Sequence, residues 1–81
     1  MNAPSFAGPV KRSVTIAGHQ TSVSLEPVFW AALERAAGEE RLPLSALVAR
    51  IDGGRIAGPS PPNLASAIRT WLYLRYASHS Q

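Results

Sequence analysis

Apolar and polar residues alternate through R-S-V-T-I-A-G-H-Q-T-S-V-S, from Arg12 to Ser24, on both sides of a Gly-His pair. Alternation of this kind is the pattern of strands with one buried face. A two-residue loop that begins with Gly fits a type II′ turn, because Gly accepts positive φ there. The spacing therefore predicts a hairpin turning at Gly18 and His19. Ala17 would then face Gln20, Ile16 face Thr21, Thr15 face Ser22, Val14 face Val23, and Ser13 face Ser24. One side carries Val14, Ile16, Val23 and Leu25. The other carries Ser13, Thr15, Gln20, Ser22 and Ser24, all uncharged hydrogen-bonding side chains, with no acid before Glu26.

The period then changes from two to that of a helix. Glu26-Pro27 has the form of a helix start, since Pro suits the first helical position and an acid suits the positive end of the helix dipole. Phe29, Trp30, Leu33, Ala36 and Ala37 recur at helical spacing to about Glu40, with Gly38 weakening the last turn. Pro43 opens a second helix with Leu44, Leu47, Val48 and Ile51 as its apolar stripe, and Asp52-Gly53-Gly54 is expected to end it. The run G-P-S-P-P at 58–62 is a stiff connector. Asn63 is a favoured N-cap for a third helix from Leu64 to about Ala77, with Leu64, Ile68, Trp71, Leu72 and Tyr76 on one face. Residues 1–9, rich in Pro, Gly and small side chains, read as a flexible arm, residues 10–77 as one domain, and residues 78–81 as a polar tail. The fold class expected from this order is α+β.

The chain's 81 residues suffice for one small domain. Without cysteine, neither a disulfide nor a thiolate metal site can supplement so small a core. Apolar residues nevertheless reach 46%, which a symmetric partner copy would help to bury. Eight Lys and Arg against five Asp and Glu give a net charge of +3, a basic bias compatible with nucleic acid. The apolar runs are far shorter than a membrane span, and residues 1–9 lack the basic start and apolar stretch of a signal peptide, so a cytoplasmic location is expected.

Residues 21–49, T-S-V-S-L-E-P-V-F-W-A-A-L-E-R-A-A-G-E-E-R-L-P-L-S-A-L-V-A, resemble the ribbon-helix-helix (Arc/MetJ/CopG-type) family. The likeness lies in an alternating strand, a short break, an amphipathic helix, a tight turn and L-S-A-L-V opening a second helix. Residues 11–76, including G-H-Q-T-S-V-S-L-E-P and N-L-A-S-A-I-R, look like the small bacterial ribbon-helix-helix domain proteins. The resemblance implies an intertwined homodimer with an N-terminal hairpin and three helices. Its antiparallel ribbon would enter the major groove of double-stranded DNA, as a transcriptional regulator does. Gln20, Ser22 and Ser24 would read bases, with Thr21, Val23 and Leu25 facing the core. The second helix's N-terminus, around Leu42 to Ser45, would meet a phosphate. The chain departs from the family pattern in its upstream strand, in Leu42-Pro43 where a Ser or Thr cap is usual, and in an expected reading face without Arg or Lys. Either strand could lie at the two-fold axis. Asn63 to Arg69 also resembles the start of the family's second helix, which would make residues 43–52 an insertion.

Each candidate residue also has a plainer explanation. The polar strand face, Thr15 included, is either a reading surface or the wet side of a half-buried sheet. Lys11 and Arg12 are phosphate clamps or a solvated strand end, and Arg41, beside the second helix, is the better-placed phosphate ligand. His19 in the turn and His79 in the tail do not make a metal set, and no cofactor is expected. Phe29, Trp30, Trp71, Tyr73 and Tyr76 fit core and dimer contacts better than base stacking, with Tyr73 off the main stripe. No nucleophile elbow, phosphate loop or facing carboxylate pair suggests an enzyme; Glu39 and Glu40 are adjacent and point apart. The alternative function is a dimeric interaction module or antitoxin-like adaptor that binds a protein.

If folding and pairing are linked, the thermal midpoint rises with protein concentration. A midpoint independent of concentration, with a monomeric mass in sedimentation, excludes the obligate dimer.

Overall fold

The computed structural model describes residues 6–78. Strand β1 (Val10–Ile16) and strand β2 (His19–Leu25) form an antiparallel pair, followed by α1 (Pro27–Glu39), α2 (Leu44–Ile56) and α3 (Leu64–Ser78). Of the arm expected over residues 1–9, only 6–9 are described; they are exposed and join no helix or strand. The expected tail begins with Ser78, which is the last residue of α3; residues 79–81, with His79, lie outside the described residues.

The hairpin turns one residue earlier than its Gly-His pair suggests. Ala17 and Gly18 occupy the turn, at φ 50° and 82°. Positive φ at both central positions is the type I′ turn, whose twist matches that of the flanking strands and whose second position favours Gly. His19 is therefore not a turn residue but the first residue of β2, opposite Ile16. The pairs continue as Thr15–Gln20, Val14–Thr21, Ser13–Ser22, Arg12–Val23, Lys11–Ser24 and Val10–Leu25. Every partner lies two residues from the expected one. A shift of two preserves the face of each side chain, so the division into apolar and polar sides stands.

The apolar side lies under the helices. Val14, Val23 and Leu25 join Trp30, Leu33, Ala36, Ala37, Leu47, Val48, Ile51, Ile68 and Leu72 in one core. Helix α2 lies against β1, α3 against β2, and α1 packs on both helices. Trp30 fastens the layers: its Nε1–H donates to the Val10 carbonyl at 2.8 Å, and the Arg12 guanidinium lies 4.5 Å from its ring centroid. Buried indole needs such an acceptor, and the added residues of β1 supply it.

Helix α1 begins where expected. Glu26 is extended before Pro27, and its carbonyl accepts the N–H groups of Phe29 and Trp30 at 2.9 and 3.1 Å. Helix α2 does not stop at Asp52-Gly53-Gly54 but runs through it to Ile56. Buried Ile51 anchors this segment, and Asp52 pairs with Arg55 one turn later at 2.7 Å, spanning the glycines. Arg55 also donates to the Pro62 carbonyl at 3.1 Å, holding the connector to the helix end. Asn63 caps α3 as expected, its Oδ1 accepting the Ser66 N–H at 2.7 Å. No helix among the described residues is long and apolar enough to cross a membrane.

Ala17 carries a left-handed backbone with a Cβ, which costs about 1–2 kcal/mol in an L-residue. Ala17→Asn should raise unfolding stability by about 0.5–1 kcal/mol, and Gly18→Ala should lower it by about 1–2 kcal/mol. Urea titrations at unchanged m-value would show both shifts.

Candidate nucleic-acid interface

The pleat gathers Lys11, Ser13, Thr15, Gln20, Ser22 and Ser24 on the side of the ribbon away from the helices. All are exposed except Ser24, which is half-buried. Lys11 lies two residues before Ser13 and opposite Ser24, so the face does carry a cation, contrary to the sequence expectation. The period-two pattern already contained that placement: Lys11, Ser13 and Thr15 have the same parity. Ser13 and Gln20 are diagonal neighbours, and the Ser13 hydroxyl donates to Gln20 Oε1 at 2.6 Å. That contact was not legible in the sequence, because it depends on the turn position. Arg12 lies on the opposite side, over Trp30 and 3.2 Å from Glu34.

Arg41 is held at the corner between α1 and α2. The Leu42 N–H donates to the Ala37 carbonyl at 2.9 Å and the Arg41 N–H to the Gly38 carbonyl at 3.1 Å. These two bonds form a Schellman ending, and Arg41 takes its left-handed position at φ 57°. Gly or Asn is usual there, so an arginine is placed at an energetic cost. Half-buried Leu42 packs on the core and directs the chain into α2. Pro43 stands at the cap of α2 without a side-chain hydrogen bond. The opening N–H groups beside Ser45, itself half-buried, thus meet no side-chain acceptor from the cap.

The carboxylates are all engaged elsewhere. Glu26 pairs with Arg69 at 2.9 Å, Glu34 with Arg12 at 3.2 Å, and Asp52 with Arg55 at 2.7 Å. Glu39 pairs with Arg75 at 3.0 Å and Arg35 at 3.2 Å, and Glu40 with Arg75 at 2.8 Å and Arg50 at 3.2 Å. Arg75, only 13% exposed, ties α3 to the end of α1. Among the described residues, Lys11 and Arg41 are the basic side chains without an ion pair. Two units of the net charge of +3 are therefore unpaired cations, one on the ribbon and one at the α1–α2 corner, and the third is the excess of six paired arginines over five carboxylates.

The pairing also shifts protonation. Arg75 hydrogen bonds hold Glu39 and Glu40 below the usual carboxylate range, with Arg35 and Arg50 adding to the effect. Glu26 is lowered by a hydrogen bond to its own backbone and by Arg69. The same contacts with Glu40 and Glu39 raise the Arg75 guanidinium. No group of three His, Cys, Asp or Glu among the described residues could hold a metal ion.

The family described as the ribbon-helix-helix domain matches residues 9–76, and the chain belongs to it. Its members are typically DNA-binding transcriptional regulators or antitoxins, generally non-enzymatic, and they typically bind DNA as dimers. Comparison with curated proteins and with solved structures returns no match.

Lowered carboxyl pKa values favour the fold while those groups are ionised. Their contribution is complete above the unfolded glutamate value, about 4.3, and disappears as pH falls through the lower folded values. The thermal midpoint should therefore drop on acidification below that range. Arg75→Gln should shrink the drop, and an unchanged acid limb in that variant would remove Arg75 as its source.

Proposed function

We propose that this protein binds double-stranded DNA as a homodimer and regulates transcription, placing the polar side of its β-ribbon in the major groove. The observation that carries the reading is the charge pattern around that ribbon. Arginines neutralise the carboxylates, while Lys11 and Arg41 keep free charge for phosphates. Gln20, Ser22, Ser24 and Thr15 supply hydrogen-bonding groups for base edges. Arg41, Ser45 and the uncapped start of α2 are the phosphate-facing group. Arg12, on the helix-facing side of the ribbon, holds Trp30 and pairs with Glu34, and any contact it makes with phosphate competes with that pair.

Family membership supports this reading, and so does the strain at Arg41. Strain retained in a backbone points to a requirement for that side chain. The alternative is a protein-binding adaptor. It draws on the exposed apolar groove between α1 and α3, where Val28, Phe29, Ala32, Tyr73 and Tyr76 line the surface.

Duplex binding measured by fluorescence anisotropy over a salt series decides between them. A DNA binder loses affinity steeply as salt rises, because neutralised phosphates release counterions. Arg41→Gly should have opposite effects on stability and binding. It should stabilise the fold by about 0.5–1 kcal/mol by relieving the left-handed position. It should also weaken binding to all sequences alike and lower the salt slope by about one per chain. Absence of duplex binding at low salt would leave the adaptor reading.

A further inference from the structure

Gln20 does not present a free amide. Its Oε1 accepts the Ser13 hydroxyl at 2.6 Å, from the diagonal position that the Ala17-Gly18 turn creates. Recognition of adenine by glutamine uses both ends of the amide: Nε2 donates to N7 and Oε1 accepts from the N6 amino group. With one Oε1 lone pair occupied by Ser13, Gln20 keeps both Nε2 hydrogens but only one acceptor site, so the balance of its amide shifts toward donation. Lys11, on the same face, contributes donors alone. Guanine offers two acceptors in the major groove, O6 and N7, where adenine offers one acceptor and one donor.

We propose that Ser13 positions Gln20 as a hydrogen-bond donor, so that the ribbon selects guanine over adenine at the base pair Gln20 meets. The proposal rests on the DNA-binding reading above and assigns that surface its base preference. Ser13 acts through Gln20 and need not touch the DNA. Thr at position 13 keeps the hydroxyl; Ala removes it.

Selection from a randomised duplex pool with the full chain tests this. The base pair read by Gln20 is the one whose preference Gln20→Ala abolishes. There, the wild type should enrich guanine over adenine by about fivefold or more. Ser13→Ala should move the preference to adenine, and Ser13→Thr should retain guanine, with thermal midpoints close to wild type in both. A scaffold role for Ser13 would alter overall affinity and leave base choice unchanged. In the free protein, the Gln20 side-chain amide resonances should move in Ser13→Ala and stay in place in Ser22→Ala. Adenine enrichment by the wild type, an unchanged preference in Ser13→Ala, or unmoved Gln20 resonances overturns the proposal while DNA binding stands. Failure of the wild type to bind any duplex at low salt overturns both, and is recognised by the loss of all selection.

Discussion

Burial of Val14, Val23 and Leu25 against the helices is the constraint on which the rest of this structure depends. In a two-stranded ribbon each buried residue forces its neighbours outward. Three apolar side chains thereby aim Lys11, Ser13, Thr15, Gln20, Ser22 and Ser24 away from the core. A one-residue slip would bury serines and expose the core residues, so the face is fixed more firmly than any single polar contact on it. Trp30 secures the arrangement from the helical layer, through apolar burial, its bond to the Val10 carbonyl and its contact with Arg12.

The helical layer answers a second requirement, which is to distribute charge. Arg75 draws Glu39 and Glu40 together at the end of α1, and Arg69 holds Glu26 at its beginning. Isolated surface pairs contribute little, but Arg75 is mostly enclosed and shares two carboxylates, so its contacts join three helices through Arg50 as well. These pairs leave Lys11 and Arg41 uncommitted. The geometry that docks α3 thus also shapes the field met by an approaching polyanion.

Backbone strain is concentrated at the two ends of this design. Among the described residues, Ala17 and Arg41 are the non-glycine residues with positive φ. The first sets the ribbon's register, and the second projects a cation beside α2. Neither conformation is what the residue prefers by itself. Each is imposed by a network that includes buried neighbours: the paired strands at Ala17, and the α1 ending with Leu42 on the core at Arg41.

Alternation alone determined the two faces of the ribbon, because a one-residue error in the turn moves every strand partner by two and so preserves parity. The amphipathic stripes of α1 and α3, the Pro27 start and the Asn63 cap were equally legible, since each depends on neighbours within one turn of chain. Only the tertiary structure decided the rest. Gly18 fits a type II′ turn at its first position and a type I′ turn at its second, and the contact of Val10 with Trp30 accompanies the latter. Asp52-Gly53-Gly54 carries a helix stop locally, yet Ile51 in the core and the Asp52–Arg55 pair carry α2 past it. The Ser13–Gln20 bond and the sorting of arginines into paired and free join residues distant in sequence, and no local pattern encodes such distances.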